Sequence, residues 1–238
     1  MSEANRHVVV IGGTQGLGLE IARSVVGRGD RATVAGRHAD VAEQAAKELG
    51  DLAAYAVCDL TDWSSLERFF ESMGPIDHLV LAALDRDNND IREFRPDDSQ
   101  RTSVMKNVGY ATAVHYALPK LTPEGSVLMF SGLSMWRPFP GSTTISMANA
   151  GVVGLANSLA VQIAPVRVNV ITPGVVAGTQ AVDNADQVRA DAYEVARQRT
   201  PGKRLPHTQD IVDASLALLD NPGINGANLV VDAGMHLI

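Results

Sequence analysis

The residues best suited to chemistry stand just after the first apolar run. His7–Ile11 (HVVVI) is followed by Gly12-Gly13-Thr14-Gln15-Gly16-Leu17-Gly18, so glycines at 12, 16 and 18 give the spacing G-x-x-x-G-x-G. Each has a steric reason. Gly12 permits a tight turn, Gly16 lets backbone N–H groups approach a pyrophosphate, and Gly18 lets the next helix pack close to the strand. The helix N-terminus then favours an anionic group. The same run also reads as a glycine-rich turn without a ligand; its place between a buried strand and a helix favours a dinucleotide. A second apolar run ends Val34-Ala35-Gly36-Arg37-His38. An acidic residue there would bond an adenosine ribose and repel a 2′-phosphate. Gly36 instead leaves room, and Arg37 offers a guanidinium fork suited to phosphate, with His38 beside it. This favours NADP(H) over NAD(H); the alternative for Arg37 is a solvated surface side chain. Asp59, in Cys58-Asp59-Leu60, can accept from an adenine amino group or cap the following helix, a role also open to Thr61 and Asp62.

Holding such residues together requires alternating strands and helices. β-branched runs predict strands at His7–Ile11, 32–35, 52–57, 76–83, 126–131, 166–171 and Asn228–Val231. Helical patterns fall at 16–26, Ala39–Leu49, 63–72, 100–121 and 143–164. Alternation implies right-handed crossovers, and therefore an α/β fold: a single-domain Rossmann-type doubly wound parallel sheet with helices on both faces. Ligands of such sheets lie beyond the carboxyl ends of the strands, at the switch point. The chain of 238 residues is long enough for one core without staples. A net charge of -7 opposes a nucleic-acid footprint, and the single cysteine, Cys58, allows no intrachain disulfide. No signal-like run opens MSEANRH and no apolar run reaches membrane-spanning length, so a cytoplasmic protein without membrane contact is expected.

Over essentially its whole length the chain resembles the short-chain dehydrogenase/reductase family. The glycine loop is similar to that family's T-G-x-x-x-G-x-G, with Ile11 in place of Thr. Asp59-Leu60 resembles its adenine-contacting motif, and Asn107, in KNVGYAT, matches its helix asparagine. Val168-Asn169-Val170-Ile171-Thr172-Pro173-Gly174 resembles V-N-x-x-x-P-G, and Val231-Asp232-Ala233-Gly234 resembles V-D-G-G. The resemblance implies that Gly12, Thr14, Gln15, Gly16, Leu17 and Gly18 bind the cofactor. Arg37, His38, Asp59, Leu60, Ala82, Ala83, Pro173, Gly174 and Val176 would complete the set. Asn107 would hold a water in a proton relay.

The departures concern catalysis. The family carries a Ser after the fifth strand and Y-x-x-x-K on the next helix. The Tyr gives a proton to the carbonyl oxygen; the Lys lowers its pKa and binds the ribose. Here these positions fall on Gly132, Ile145 and Asn149, and N-N-A-G has become Leu81-Ala82-Ala83-Leu84. Ile145 donates no proton, and Asn149 can bond a ribose hydroxyl but carries no charge. Three functions stay open. One is an atypical NADP(H)-dependent oxidoreductase acting on a small carbonyl or hydroxyl compound with another acid. Ser131 and Ser134, or Asp85 and Asp87, are candidates, against bland roles as a backbone-bonded strand end, a loop serine and a solvated acidic loop. His115 and Tyr116 belong to packing. The second is a non-redox cyclase, isomerase or dehydratase; the third is a cofactor-binding or scaffolding protein without chemistry.

No metal site is read from the sequence. The resemblance implies a homodimer or homotetramer, and a substrate lid at 179–204 with a helix near 186–197. Trp136, Phe139 and Met135 stand as pocket-mouth residues or as ordinary packing.

Overall fold

Period-two burial sets the layers. In the computed structural model, which describes residues 5–85, 87–184 and 186–238, strand β1 (His7–Ile11) turns Val9 and Ile11 to one face and Val8 and Val10 to the other. Helix α1 (Gly16–Gly27) leads to β2 (Arg31–Gly36), α2 (Ala39–Leu49) to β3 (Ala53–Val57), and α3 (Trp63–Glu71) to β4 (Ile76–Leu81). Then come α4 (Pro96–Ser103), a π-helical segment (Val104–Gly109), α5 (Tyr110–Ala117), β5 (Leu121–Phe130), α6 (Thr143–Gln162) and β6 (Arg167–Pro173). The short α7 (Gln180–Asp183), α8 (Gln187–Arg199), α9 (Thr208–Asp220) and β7 (Asn228–Val231) finish the chain. The seven strands are all parallel, in the order β3-β2-β1-β4-β5-β6-β7. The order reverses between β1 and β4, which makes the crevice at their carboxyl ends the ligand position. Leu66, Tyr110, Val152 and Ala156 cover one face of the sheet; Ile21, Ala45, Ile211 and Leu218 cover the other.

Local signals account for most boundaries. Asp62 caps α3 by accepting from the Ser64 and Ser65 N–H groups, and Pro96 with Asp97 and Asp98 opens α4. The expected helix at 100–121 is a correction. It starts at Pro96, is interrupted by the π-helix and stops at Ala117, because Leu121 already pairs with Ile76 in the sheet. The π-helix brings Gly109 so close to the Leu60 carbonyl that no side chain would fit there. Helix α9 was not anticipated. Its signal is the reciprocal capping of His207 and Asp210 ahead of Ile211, Val212, Leu218 and Leu219. Its last carbonyls, on Leu218 and Leu219, accept from the buried Arg167 guanidinium. Contrary to expectation, α6 is long and apolar enough to cross a membrane by length and composition. In the fold its Ala148, Val152, Ala156 and Ala160 are buried, the last three in the core.

One buried group carries a pH prediction. His78 on β4 donates from Nδ1 to the Ser126 hydroxyl (2.8 Å), whose own proton goes to Leu219 O. Burial, then the Arg6 charge, lowers its pKa from 6.5 to about 4. Between those values the unfolded chain binds a proton that the folded chain refuses, so stability is full above pH 6.5 and falls on acidification toward pH 4. Between pH 7.5 and 4.5 the wild type should lose about 2.5 kcal/mol more than His78→Gln. Urea titrations at both pH values check this; equal losses would contradict it.

Candidate active site

The glycine loop is built as a cradle. Gly12 (φ +86) packs on the backbone of Ala82 and Ala83, where a Cβ would collide with Ala83 N. Gly18 presses on the Gly12 carbonyl just as tightly. Gly16 (φ +56) differs: a Cβ there would meet nothing within 4 Å, so it faces open space. Gln15 stands at the N-cap of α1 in extended conformation, and no side chain caps the helix. Its first-turn N–H groups are therefore presented to an anion rather than to the protein. Leu17 is partly buried, with its side chain packed against the core. The cradle fits a pyrophosphate.

At the adenosine end the arrangement differs from expectation in three places. The space over Gly36 is filled by Thr14, whose Cγ2 and Oγ1 would lie 3.0 and 3.2 Å from a Cβ on residue 36. Leu60 is buried in the core and cannot reach a ligand with its side chain. Arg37 is not a free surface side chain. Its Nη1 contacts Asp85 Oδ2 at 3.2 Å, and Arg101 contacts the same oxygen at 3.0 Å. Because Arg37 follows β2 and Asp85 follows β4, this bridge spans the carboxyl end of β1. His38 occupies the N-cap of α2 without a side-chain cap bond. The Asp59 carboxylate accepts from Thr61 N and Oγ1, both at 2.8 Å, while Asp62 does the helix capping. Cys58 is buried and its thiol is pushed up to about 12, so it is inert filler.

At the other end, Ser131, Gly132, Ile145 and Asn149 meet above β5. The Ser131 hydroxyl donates to the Asn149 carbonyl (2.9 Å), so its proton is committed to backbone, which counts against Ser131 as an acid. A Cβ on Gly132 would lie 2.6 Å from Asn149 Nδ2. The Asn149 amide therefore fills the space a residue-132 side chain would take. Its Nδ2 donates to Ser134 Oγ (2.9 Å), while its buried Oδ1 has no partner. That open acceptor, at a residue only 3% exposed, fits a hydroxyl such as that of a cofactor ribose. Ile145 is buried and apolar beside it. Asn107 sits on the π-helix and donates to Ala148 O (2.9 Å), and a Cβ at residue 151 would lie 2.6 Å from its Nδ2. π-Helical turns of this kind concentrate at functional sites.

Sequence reasoning missed Lys106. It lies next to Asn107, is 2% exposed, and its Nζ reaches Ser131 O at 3.5 Å. A lysine inside an apolar helical pattern was the available signal, because lysine is almost never fully buried unless paired. Tyr110 was also missed. Its hydroxyl donates to Ala83 O (2.9 Å), and burial pushes the phenol well above its ordinary value, so it braces the wall and gives up no proton. The loop holding Asp85 and Asp87 is not merely solvated. Asn89 is wholly buried and ties it to Gly141, Thr143 and Arg95. His115 and Tyr116 pack edge to face on each other.

The far wall is set by β6. Pro173 ends that strand, and Gly174 packs on Asp232, whose carboxylate holds Gly234 N and His236 N. Val176 packs its side chain in the core, so its backbone is what it presents toward the cleft. Above it, Tyr193 and Ala196 of α8 pack on Leu133, Leu205 and Met235, so α8 covers the residue after Gly132. Trp136 lies at the rim, its ring 6.0 Å from that of His236, and Phe139 is exposed. Among the described residues no cluster could hold a metal ion.

Known proteins agree with this architecture. The model of the family described as Enoyl-(Acyl carrier protein) reductase matches residues 12–236. The short-chain dehydrogenase/reductase malC of Malbranchea aurantiaca is 30% identical, over 98% of this chain and 95% of its own. The solved structure titled MalC Reductase/Diels-Alderase from that organism superposes with a TM-score of 0.90 at 26% identity, covering 98% of this chain and 97% of the other. The 3-oxoacyl-[acyl-carrier-protein] reductase of Bos taurus is 27% identical over 96% of this chain and 97% of its own. With the parallel sheet, the glycine cradle and the asparagine-bearing helix in place, the chain belongs to the short-chain dehydrogenase/reductase family of oxidoreductases.

Proposed function

We propose that the chain is an NADP(H)-dependent oxidoreductase that interconverts a carbonyl and a hydroxyl on a small molecule without the family's Tyr–Lys pair. The observation that carries this is the contrast within one cleft. The backbone cradle at Gly12, Gly16 and Gly18 is intact, whereas Ile145 and the Asn149 amide fill the positions where a proton donor and a cation would stand. When bound, the cofactor supplies or accepts a hydride. The chain does the rest. The first turn of α1 holds the pyrophosphate, and Arg37 with Arg101 receives the 2′-phosphate. Asn149 Oδ1 accepts from a ribose hydroxyl, and the lid helix α8 keeps water away. Asn107 keeps its role as holder of a relay water. A homodimer or homotetramer and a cytoplasmic location belong to the same reading. It draws support from the outer face of α6, which leaves Met147 and Val161 exposed alongside Val108.

A second reading has its own observation. No ionisable side chain stands at 145 or 149, and a similar protein is titled both reductase and Diels-Alderase, a reaction that needs shape and no proton transfer. NADPH consumption across a panel of ketones and aldehydes separates the two. Turnover that requires NADPH supports the oxidoreductase. Product formed from a reactive diene without nicotinamide supports the second, and tight binding without turnover leaves a cofactor-binding scaffold.

A further inference from the structure

The residues at 145 and 149 restrict which hydride acceptor suits the cleft. A carbonyl that gains a hydride becomes an alkoxide, and a positioned acid that protonates it contributes about 100- to 10,000-fold in rate. Position 145 holds a buried isoleucine and position 149 an uncharged amide. The donors around them are turned to the protein. Ser131 Oγ donates to Asn149 O, Asn149 Nδ2 to Ser134 Oγ and the Tyr110 hydroxyl to Ala83 O, each at 2.9 Å, and Lys106 Nζ reaches Ser131 O. A catalytic acid works best with a pKa near the operating pH, which the Thr144 alcohol, buried without a partner one residue before Ile145, does not have. The amide has a second consequence. Like charges repel strongly where water is scarce, so a lysine at 149 would oppose a cationic substrate, and asparagine does not. At the rim, Trp136 and Phe139 are exposed between β5 and α6, and aromatic faces attract cations.

We propose that the cleft reduces a cationic carbon–nitrogen double bond, an iminium ion, to the neutral amine. This rests on the NADP(H) half of the reading above and goes beyond its carbonyl half. The iminium carbon gains a hydride with its two electrons from the reduced nicotinamide, which is left oxidised. The π pair moves onto nitrogen and cancels its formal charge. No proton enters or leaves, so neither an acid at 145 nor a cation at 149 is needed. The substrate brings the positive charge that a carbonyl must borrow from the protein.

The probe is an N-methyl dihydroisoquinolinium cation with a methyl group on its iminium carbon, and tetralone is the neutral ketone of similar size. With NADPH the wild type should convert the cation to predominantly one enantiomer of the amine, with kcat/KM at least about 100-fold above that for tetralone. A smaller ratio, or racemic product formed at the rate of NADPH alone, overturns the proposal; turnover of tetralone alone overturns it and leaves the carbonyl reading standing. An inert cation of the same shape, N,N-dimethyl tetrahydroisoquinolinium, gives a readout without turnover. By calorimetry on protein saturated with NADP+, Asn149→Lys should weaken this cation at least about tenfold. Unchanged affinity in a variant shown by circular dichroism to be folded overturns the proposal, and the wild-type assay decides the matter if the variant does not fold. Failure of NADPH to bind is a different result, seen in the fluorescence titration, and removes the cofactor reading and this inference together.

Discussion

Replacing Gly16 by valine is expected to raise the Kd for NADPH by at least about 100-fold while leaving a folded protein. Two features of the loop separate the effects. The position is left-handed (φ +56), which costs a residue with a Cβ about 1–2 kcal/mol. The new side chain would meet no protein atom within 4 Å, so it projects into the space assigned to the pyrophosphate. Binding therefore suffers both exclusion and loss of the N–H contacts, and folding suffers only the backbone strain. Gly12→Val would not be an equally clean test, because there the Cβ drives into Ala83 and both quantities collapse. Circular dichroism and nucleotide fluorescence on Gly16→Val measure the two effects. Wild-type affinity in the folded variant would mean that the cradle holds no pyrophosphate.

The second large effect concerns the choice between the two nicotinamide dinucleotides. Arg37 and Arg101 share one oxygen of Asp85, an exposed ion pair of the kind worth at most about 1 kcal/mol. A 2′-phosphate brings more charge and more acceptor oxygens, so it can take both guanidiniums from the carboxylate. Arg37→Ala should weaken NADPH by about 30-fold, with NADH changed by less than about threefold. Asp85→Asn should do the reverse, tightening NADPH a few-fold by removing its competitor. The salt dependence of NADPH binding should fall in Arg37→Ala. If both nucleotides weaken equally in Arg37→Ala, the guanidinium acts on something common to them and the phosphate assignment fails.

The scaffold was legible because its signals are local or periodic. Continuous apolar runs such as VVVI announced a sheet buried on both faces, and the glycine spacing announced its crossover to α1. The long helix was misread because nothing local in KNVGYAT says that six residues adopt a π-helix; the reason is tertiary, the approach of Gly109 to Leu60. Helix α9 was overlooked although its capping residues are visible in the sequence. At the site, the loss of proton-transferring groups at 132, 145 and 149 could be read directly. What replaced them could not. The Asn149 amide filling the space at Gly132 and Lys106 arriving behind Ser131 are contacts between residues 15 to 25 apart in sequence, fixed only when the π-helix and α6 pack. Tertiary packing likewise buries Leu60, in the turn after β3, and Val176, after β6, and packs part of Leu17 against the core.

Side-by-side fluorescence titration of the wild-type protein with NADPH and NADH at one ionic strength bears most directly on the cleft. Saturable binding of NADPH, at least about tenfold tighter than NADH, is the predicted result. No saturable binding of either nucleotide at millimolar concentration, or equal affinity for both, would contradict it.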